Sequence, residues 1–183
     1  DDIGGQLIAI ILELESSTKL TQSELGQIQR VYGDVRRLSH SLDEPLFNEI
    51  TLQEKIRNYI SELREHVKFT FQFMDDLTMN WEKVKGRQEL QRNIYRIIQE
   101  LITNTSKHAD ASEVDIQLLN ENNRLILIYE DNGVGISSEG LEKNLSFNTI
   151  RKRVEMFSGE LEITSQPDHG VFVLISIPVE IRK

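Results

Sequence analysis

The sequence predicts an α+β protein: an N-terminal helical hairpin that pairs with a second copy as a four-helix bundle, followed by an α/β sandwich with a mixed, largely antiparallel sheet. Three observations predict it. Apolar residues recur at three- and four-residue steps up to about residue 43, the period changes to two at Val67, and beyond that helical stretches are interleaved with strand pairs joined by short turns. A mixture of helices with antiparallel pairs argues for a two-layer sandwich and against a doubly wound parallel sheet.

The first helix carries Ile3, Leu7, Ile10 and Leu14, a polar patch at Ser17, Thr21 and Glu24, then Ile28, Val31, Val35, Leu38 and Leu42. No proline interrupts it, so a rod of about 60 Å is allowed at 1.5 Å per residue. Gly26 and Gly33 each weaken it by roughly 1 kcal/mol relative to alanine. Pro45 marks the break. Thr51-Leu52-Gln53-Glu54 is a capping box that opens a second helix with Leu52, Ile56, Tyr59, Ile60 and Leu63 on one face. Two helices of unequal length leave a long apolar seam, which a second copy would cover.

From Val67, the residues Val67, Phe69, Phe71 and Phe73 alternate with Lys68, Thr70 and Gln72, a half-buried strand that sets the domain boundary near residue 66. The two domains are therefore read as 1–66 and 67–183. A helix follows at about 88–107, buried through Leu90, Ile94, Ile97 and Leu101. Strands at 113–119 and 124–130 turn through Asn120 to Asn123, and 132–146 reads as irregular. A helix at 147–157 and strands at 160–165 and 171–177, turning at Gln166 to Gly170, complete the chain.

Charge and composition exclude several classes. With 21 Lys+Arg against 30 Asp+Glu, the net charge of −9 disfavours a nucleic-acid binder. The absence of cysteine removes disulfides, thiol nucleophiles and cysteine-type zinc sites. The longest apolar run, Leu7 to Leu12, is six residues, far short of the roughly 20 that a spanning helix needs, so no membrane segment is expected and the chain reads as cytoplasmic. It opens on Asp1-Asp2 with neither Met nor a signal-peptide pattern, which reads as a piece excised from a longer protein and leaves membrane anchoring of the whole open.

Two groups of residues stand out chemically. Glu100, Asn104 and Lys107 lie at i, i+4 and i+7 of one helix and share a face, with His108 beside them. Alone, such a stripe also reads as an ordinary solvated face. A strand then ends in Glu130-Asp131-Asn132-Gly133-Val134-Gly135-Ile136, where a carboxylate meets two glycines that permit close backbone approach. Alone, this is also an ordinary turn.

Together the two groups resemble the nucleotide-binding fold shared by sensor histidine kinases, ninety-kilodalton heat-shock chaperones and mismatch-repair ATPases. Gln99 to Ala109 resembles the asparagine box of histidine kinases related to nitrate sensors, and Glu130 to Ile136 their first glycine box. Asp1 to Leu7 resembles the end of their phosphoacceptor motif, and Asp34 to Leu42 the turn of their dimerisation hairpin. The resemblance implies ATP and Mg2+ as cofactors, with Asn104 a metal ligand and Glu100 orienting water or handling a proton. It implies Lys107 and His108 near the phosphates, Asp131 reading the adenine amine, and Gly133 and Gly135 shaping the adenine wall. Gly170, with Val171 and Phe172, corresponds to the last glycine box, and 137–148 to a lid over ATP. Partners implied are a second copy and the receiver domain of a response regulator.

Departures from the pattern are specific. The acceptor histidine of the relatives would immediately precede Asp1, whose carboxylate would polarise it; His40, His66, His108 and His169 stand elsewhere. Gly5 occupies the place of a glutamine associated with phosphatase activity, the lid segment Leu141 to Ile150 lacks glycine, and Val171 replaces a common threonine. The altered lid leaves a second reading open, a nucleotide-binding or dimeric interaction module without kinase activity.

Overall fold

The computed structural model describes residues 50–64, 66–76 and 87–179. The chain divides into two compact units, Asp1–Glu49 and Ile50–Lys183. The expectations for the long first helix, its seam, its turn region and Asp1 lie outside the described residues.

In chain order the elements are α1 (Leu52–Leu63), β1 (Thr70–Asp76), α2 (Arg87–His108), β2 (Glu113–Glu121), β3 (Arg124–Asp131), α3 (Ser138–Lys143), α4 (Leu145–Glu155), β4 (Glu160–Ser165) and β5 (Val171–Pro178). They form one five-stranded sheet in the order β1-β2-β3-β5-β4. The β1/β2 pair is parallel, with Phe71 opposite Val114, and the other three pairs are antiparallel.

The capping box forms as its residue types require. The Glu54 carboxylate accepts from the Thr51 N–H at 2.8 Å while Thr51 Oγ1 accepts from the Glu54 N–H at 3.2 Å. These backbone and side-chain bonds to Thr51 hold the Glu54 carboxyl below its usual range. Leu52, Ile56, Tyr59 and Ile60 are buried, yet their burial corrects the expected boundary. Tyr59 stacks edge-on to Tyr95 of α2 at 5.8 Å, and Arg57 pairs with Asp75 of β1 while lying over Phe73 at 5.0 Å. This helix packs within the unit that begins at Ile50, so the division falls before α1 and not near residue 66.

Period-two burial then builds the sheet. Val114, Ile116 and Leu118, Leu125, Leu127 and Tyr129, and Val173, Ile175 and Ile177 are all essentially buried. Each such aliphatic side chain contributes about 1.5–3 kcal/mol by leaving water. The helices cover this side: Thr105 of α2 bonds Tyr129 and Asp131 of β3, and Val154 of α4 and Ile177 of β5 both close on Gly159, each 2.8 Å from where a Cβ there would stand. The alternate residues, Ile126, Ile128 and Leu174 among them, are half-buried on the other face.

Four local expectations shift. β1 begins at Thr70 and not at Val67, because the Val67 N–H still turns back to the Leu63 carbonyl. The stretch expected to be irregular contains α3, capped by Ser137, whose hydroxyl accepts from the Gly140 N–H at 3.3 Å. The helix expected at 147–157 runs Leu145–Glu155, because Asn144 caps it two residues earlier. The β2–β3 turn narrows to Asn122-Asn123, both at positive φ (50° and 59°), the backbone of a two-residue hairpin that asparagine tolerates.

Candidate functional site

The last two turns of α2 carry the site, because successive helical residues point about 100° apart. Asn104 therefore faces α4 while Thr105 faces the sheet. On the sheet side, Asp131 is 3% exposed, and both its carboxylate oxygens are engaged. Oδ1 accepts from the Gly133 N–H at 3.0 Å and Oδ2 from the Thr105 hydroxyl at 2.9 Å. The Thr105 hydroxyl also lies 2.6 Å from the Tyr129 phenol oxygen. Thr105 has one proton and gives it to Asp131, so Tyr129 is the donor of that bond. A carboxylate offers about four lone-pair sites, and two remain for a ligand's amine.

Burial pushes the Tyr129 phenol well above its ordinary value of 10.0, assisted by the charge of Asp131. A raised folded-state value means stability that is whole below pH 10 and is lost as pH rises beyond it. The loss approaches about 1.4 kcal/mol per pH unit. Urea denaturation from about pH 8 to about pH 11 should show this alkaline limb. Tyr129→Phe should cost about 1 kcal/mol at neutral pH through the lost bond and flatten the limb. An unchanged limb in the variant would assign it elsewhere.

The glycines position backbone rather than open space. A Cβ on Gly133 would lie 2.3 Å from the Ala109 carbonyl oxygen, and one on Gly135 (φ +67°) 2.0 Å from that of Gln166. A Cβ on Gly170 (φ +68°) would lie 1.8 Å from the Asp131 carbonyl oxygen. Hydrogen bonds lock the same loops together: Val134 N–H to the Ala109 carbonyl at 2.7 Å, Asp168 N–H to the Val134 carbonyl at 2.7 Å, and Ile136 N–H to Ser165 Oγ at 2.8 Å. The glycine loop, the end of α2 and the β4–β5 turn thus form one framework around Asp131.

On the α4 side, Asn104 Nδ2 donates to Ser146 Oγ at 3.0 Å, and that hydroxyl donates to the Glu100 carboxylate. Carboxylate, amide carbonyl and hydroxyl are oxygen donors that suit a hard cation. No cluster of three or more His, Cys, Asp or Glu able to hold a metal occurs among the described residues. An ion here would rest on few protein ligands with phosphates completing its shell, the usual arrangement for Mg2+. Lys107 and His108 are exposed in the last turn of α2, where positive charge favours the helix C-terminus. Among the described residues no hydrogen bond or ion pair joins them to Glu100, Asn104 or Asp131.

Of the expected site residues, the fold brings Glu100 and Asn104 together through Ser146, and Asp131, Gly133 and Gly170 together around the β3 end. Thr105, Tyr129 and Ser146 were not singled out from sequence. A lone hydroxyl has no spacing signal, and only the strand register and the seat of α4 reveal its partner.

The chain belongs to the family described as histidine kinase-, DNA gyrase B- and HSP90-like ATPases, whose model matches residues 89–181. Membership of an ATPase family makes ATP the nucleotide this chain uses. Among curated proteins it is similar to the signal transduction histidine-protein kinase/phosphatase DegS of Brevibacillus brevis, 26% identical over 91% of this chain and 41% of the relative. It is similar also to the histidine-protein kinase/phosphatase UhpB of Salmonella typhimurium, 29% identical over 97% of this chain and 37% of the relative. The chain thus spans less than half the length of these relatives. Two solved structures share the fold. The histidine kinase domain of the blue-light activated kinase of Erythrobacter litoralis has a TM-score of 0.58 at 19% identity over 96% of each chain. The histidine kinase AdeS of Acinetobacter baumannii has a TM-score of 0.59 at 16% identity over 97% of this chain and 94% of that one. No helix among the described residues is long and apolar enough to cross a membrane.

Proposed function

We propose that this chain is the dimerisation and catalytic core of a cytoplasmic sensor histidine kinase. It binds ATP with Mg2+, moves the γ-phosphoryl group to a histidine preceding Asp1, and passes it to an aspartate of a response-regulator receiver domain. The chain pairs with a second copy of itself. The observation that carries the reading is that adjacent residues of α2, Asn104 and Thr105, engage the oxygen cluster and the buried Asp131 respectively.

Asp131 accepts the exocyclic amine of adenine, and the framework of Gly133, Gly135 and Gly170 holds that carboxylate still. Asn104 offers its carbonyl oxygen to Mg2+, whose part is to neutralise phosphate charge. Glu100 orients water or holds a proton, Lys107 and His108 offer donors to the phosphates, and Asp1 polarises the imidazole beside it. The imidazole nitrogen attacks the γ-phosphorus, the bond to the bridging oxygen breaks, and ADP leaves.

Calorimetry with a non-hydrolysable ATP analogue tests the reading. Mg2+ should tighten binding to the natural chain, and Asn104→Ala should remove that effect, on the order of 10- to 100-fold. An extended chain carrying His immediately before Asp1 should take label from γ-labelled ATP, whereas the present chain should not. Tight binding without phosphohistidine in the extended chain would favour the module without kinase activity.

A further inference from the structure

We propose that Ser146 is a positioning residue for the metal-binding end of this site, fixing which atom of the Asn104 amide faces the cation; the inference rests on the reading of Asn104 as a Mg2+ ligand. A side-chain amide has one face that accepts and one that donates, and only the carbonyl oxygen serves a hard cation. Asn104 Nδ2 donates to Ser146 Oγ at 3.0 Å, and the single proton of Ser146 goes to the Glu100 carboxylate. The polarity of the relay is set by Glu100, which can only accept when ionised. Were the amide turned over, its oxygen and the Glu100 carboxylate would compete for one hydroxyl proton, and one of them would be left unpaired. The relay therefore turns the Asn104 carbonyl oxygen away from Ser146, to the side where it can meet a cation.

Ser146 reaches this place because α4 is fixed at both ends. Asn144 Oδ1 accepts from the Ser146 and Phe147 N–H groups at 3.0 and 3.3 Å, and Phe147, Ile150 and Val154 are buried. At the far end, Arg153 donates to Asn93 Oδ1 of α2 at 3.0 Å. The orientation of the metal ligand is thus tied to the seating of the segment expected to form the lid.

The test is a Mg2+ titration at fixed concentration of a non-hydrolysable ATP analogue, read by calorimetry, beside binding of the same analogue in EDTA. Ser146→Ala should raise the Mg2+ concentration of half-effect by about 10-fold or more, the usual consequence of losing a group that orients a metal ligand. Affinity in EDTA should stay unchanged, and Ser146→Thr, which keeps the hydroxyl, should restore the metal response. A metal response unchanged or tightened in Ser146→Ala overturns the inference, the tightening showing that the hydroxyl competes with the ion. Asn104→Ala separates the two claims. If it abolishes the metal effect while Ser146→Ala does not, only the inference on Ser146 fails. If neither changes it, the reading of Asn104 fails as well.

Discussion

Gly170→Ala is expected to lower the unfolding free energy by roughly 3 kcal/mol or more and to remove nucleotide binding with it. Two costs combine. The φ of +68° lies in the left-handed region, where a Cβ costs about 1–2 kcal/mol. The added carbon would also sit 1.8 Å from the Asp131 carbonyl oxygen, a backbone atom that cannot swing aside as a side-chain tip does. Asp131 faces Val171 in the β3/β5 ladder, so relief requires breaking the sheet where the candidate binding carboxylate is held. Gly140→Ala is the milder contrast: its Cβ would meet only side-chain atoms, Ile136 Cγ2 at 2.8 Å and Ser137 Oγ at 3.3 Å, so a side-chain adjustment with no backbone break relieves it, and up to about 1 kcal/mol of helix propensity in α3 offsets part of that cost. Urea denaturation should therefore separate the two by several kcal/mol. A Gly170→Ala chain as stable as the natural one would mean that the framework around Asp131 is not needed to hold it.

What could be read from residues alone follows the range of each signal. The capping box at Thr51, the apolar face of α2 and the alternation in β2, β3 and β5 are local patterns, and local patterns specify local backbone. The partner of α1 was not legible, because Leu52, Ile56, Tyr59 and Ile60 make the same stripe whether they face a second helical rod or the Tyr95 side of α2. The parallel pairing of β1 was not legible either, since a period of two carries no strand direction. α3 escaped because six residues reading SEGLEK carry no apolar repeat, and its start depends on one hydroxyl, that of Ser137. At the site, the Asp-Gly and Glu/Asn spacings mark candidates. The bonds that orient them run from Thr105 to Asp131 across 26 positions and from Asn104 to Ser146 across 42, distances that only the finished fold closes.

Asp131→Asn should weaken ATP binding on the order of 100-fold while reversing the preference between adenine and a 6-oxopurine. The substitution keeps the volume and changes only the pattern of donors. Gly133 N–H cannot reverse, so the amide oxygen must take it and the new NH2 must face Thr105. Thr105 then accepts and sends its proton towards Tyr129, whose buried phenol loses its acceptor at a cost of about 1–3 kcal/mol. The second proton of the new NH2 points to where the adenine amine needs an acceptor, setting donor against donor. Inosine triphosphate, with a carbonyl in place of that amine, offers the acceptor the variant lacks. Its binding should fall far less, or rise. Calorimetric comparison of the two nucleotides on the natural chain and on Asp131→Asn reads the switch directly. Retention of tight, adenine-selective binding in Asp131→Asn would show that Asp131 holds the loops but does not read the base.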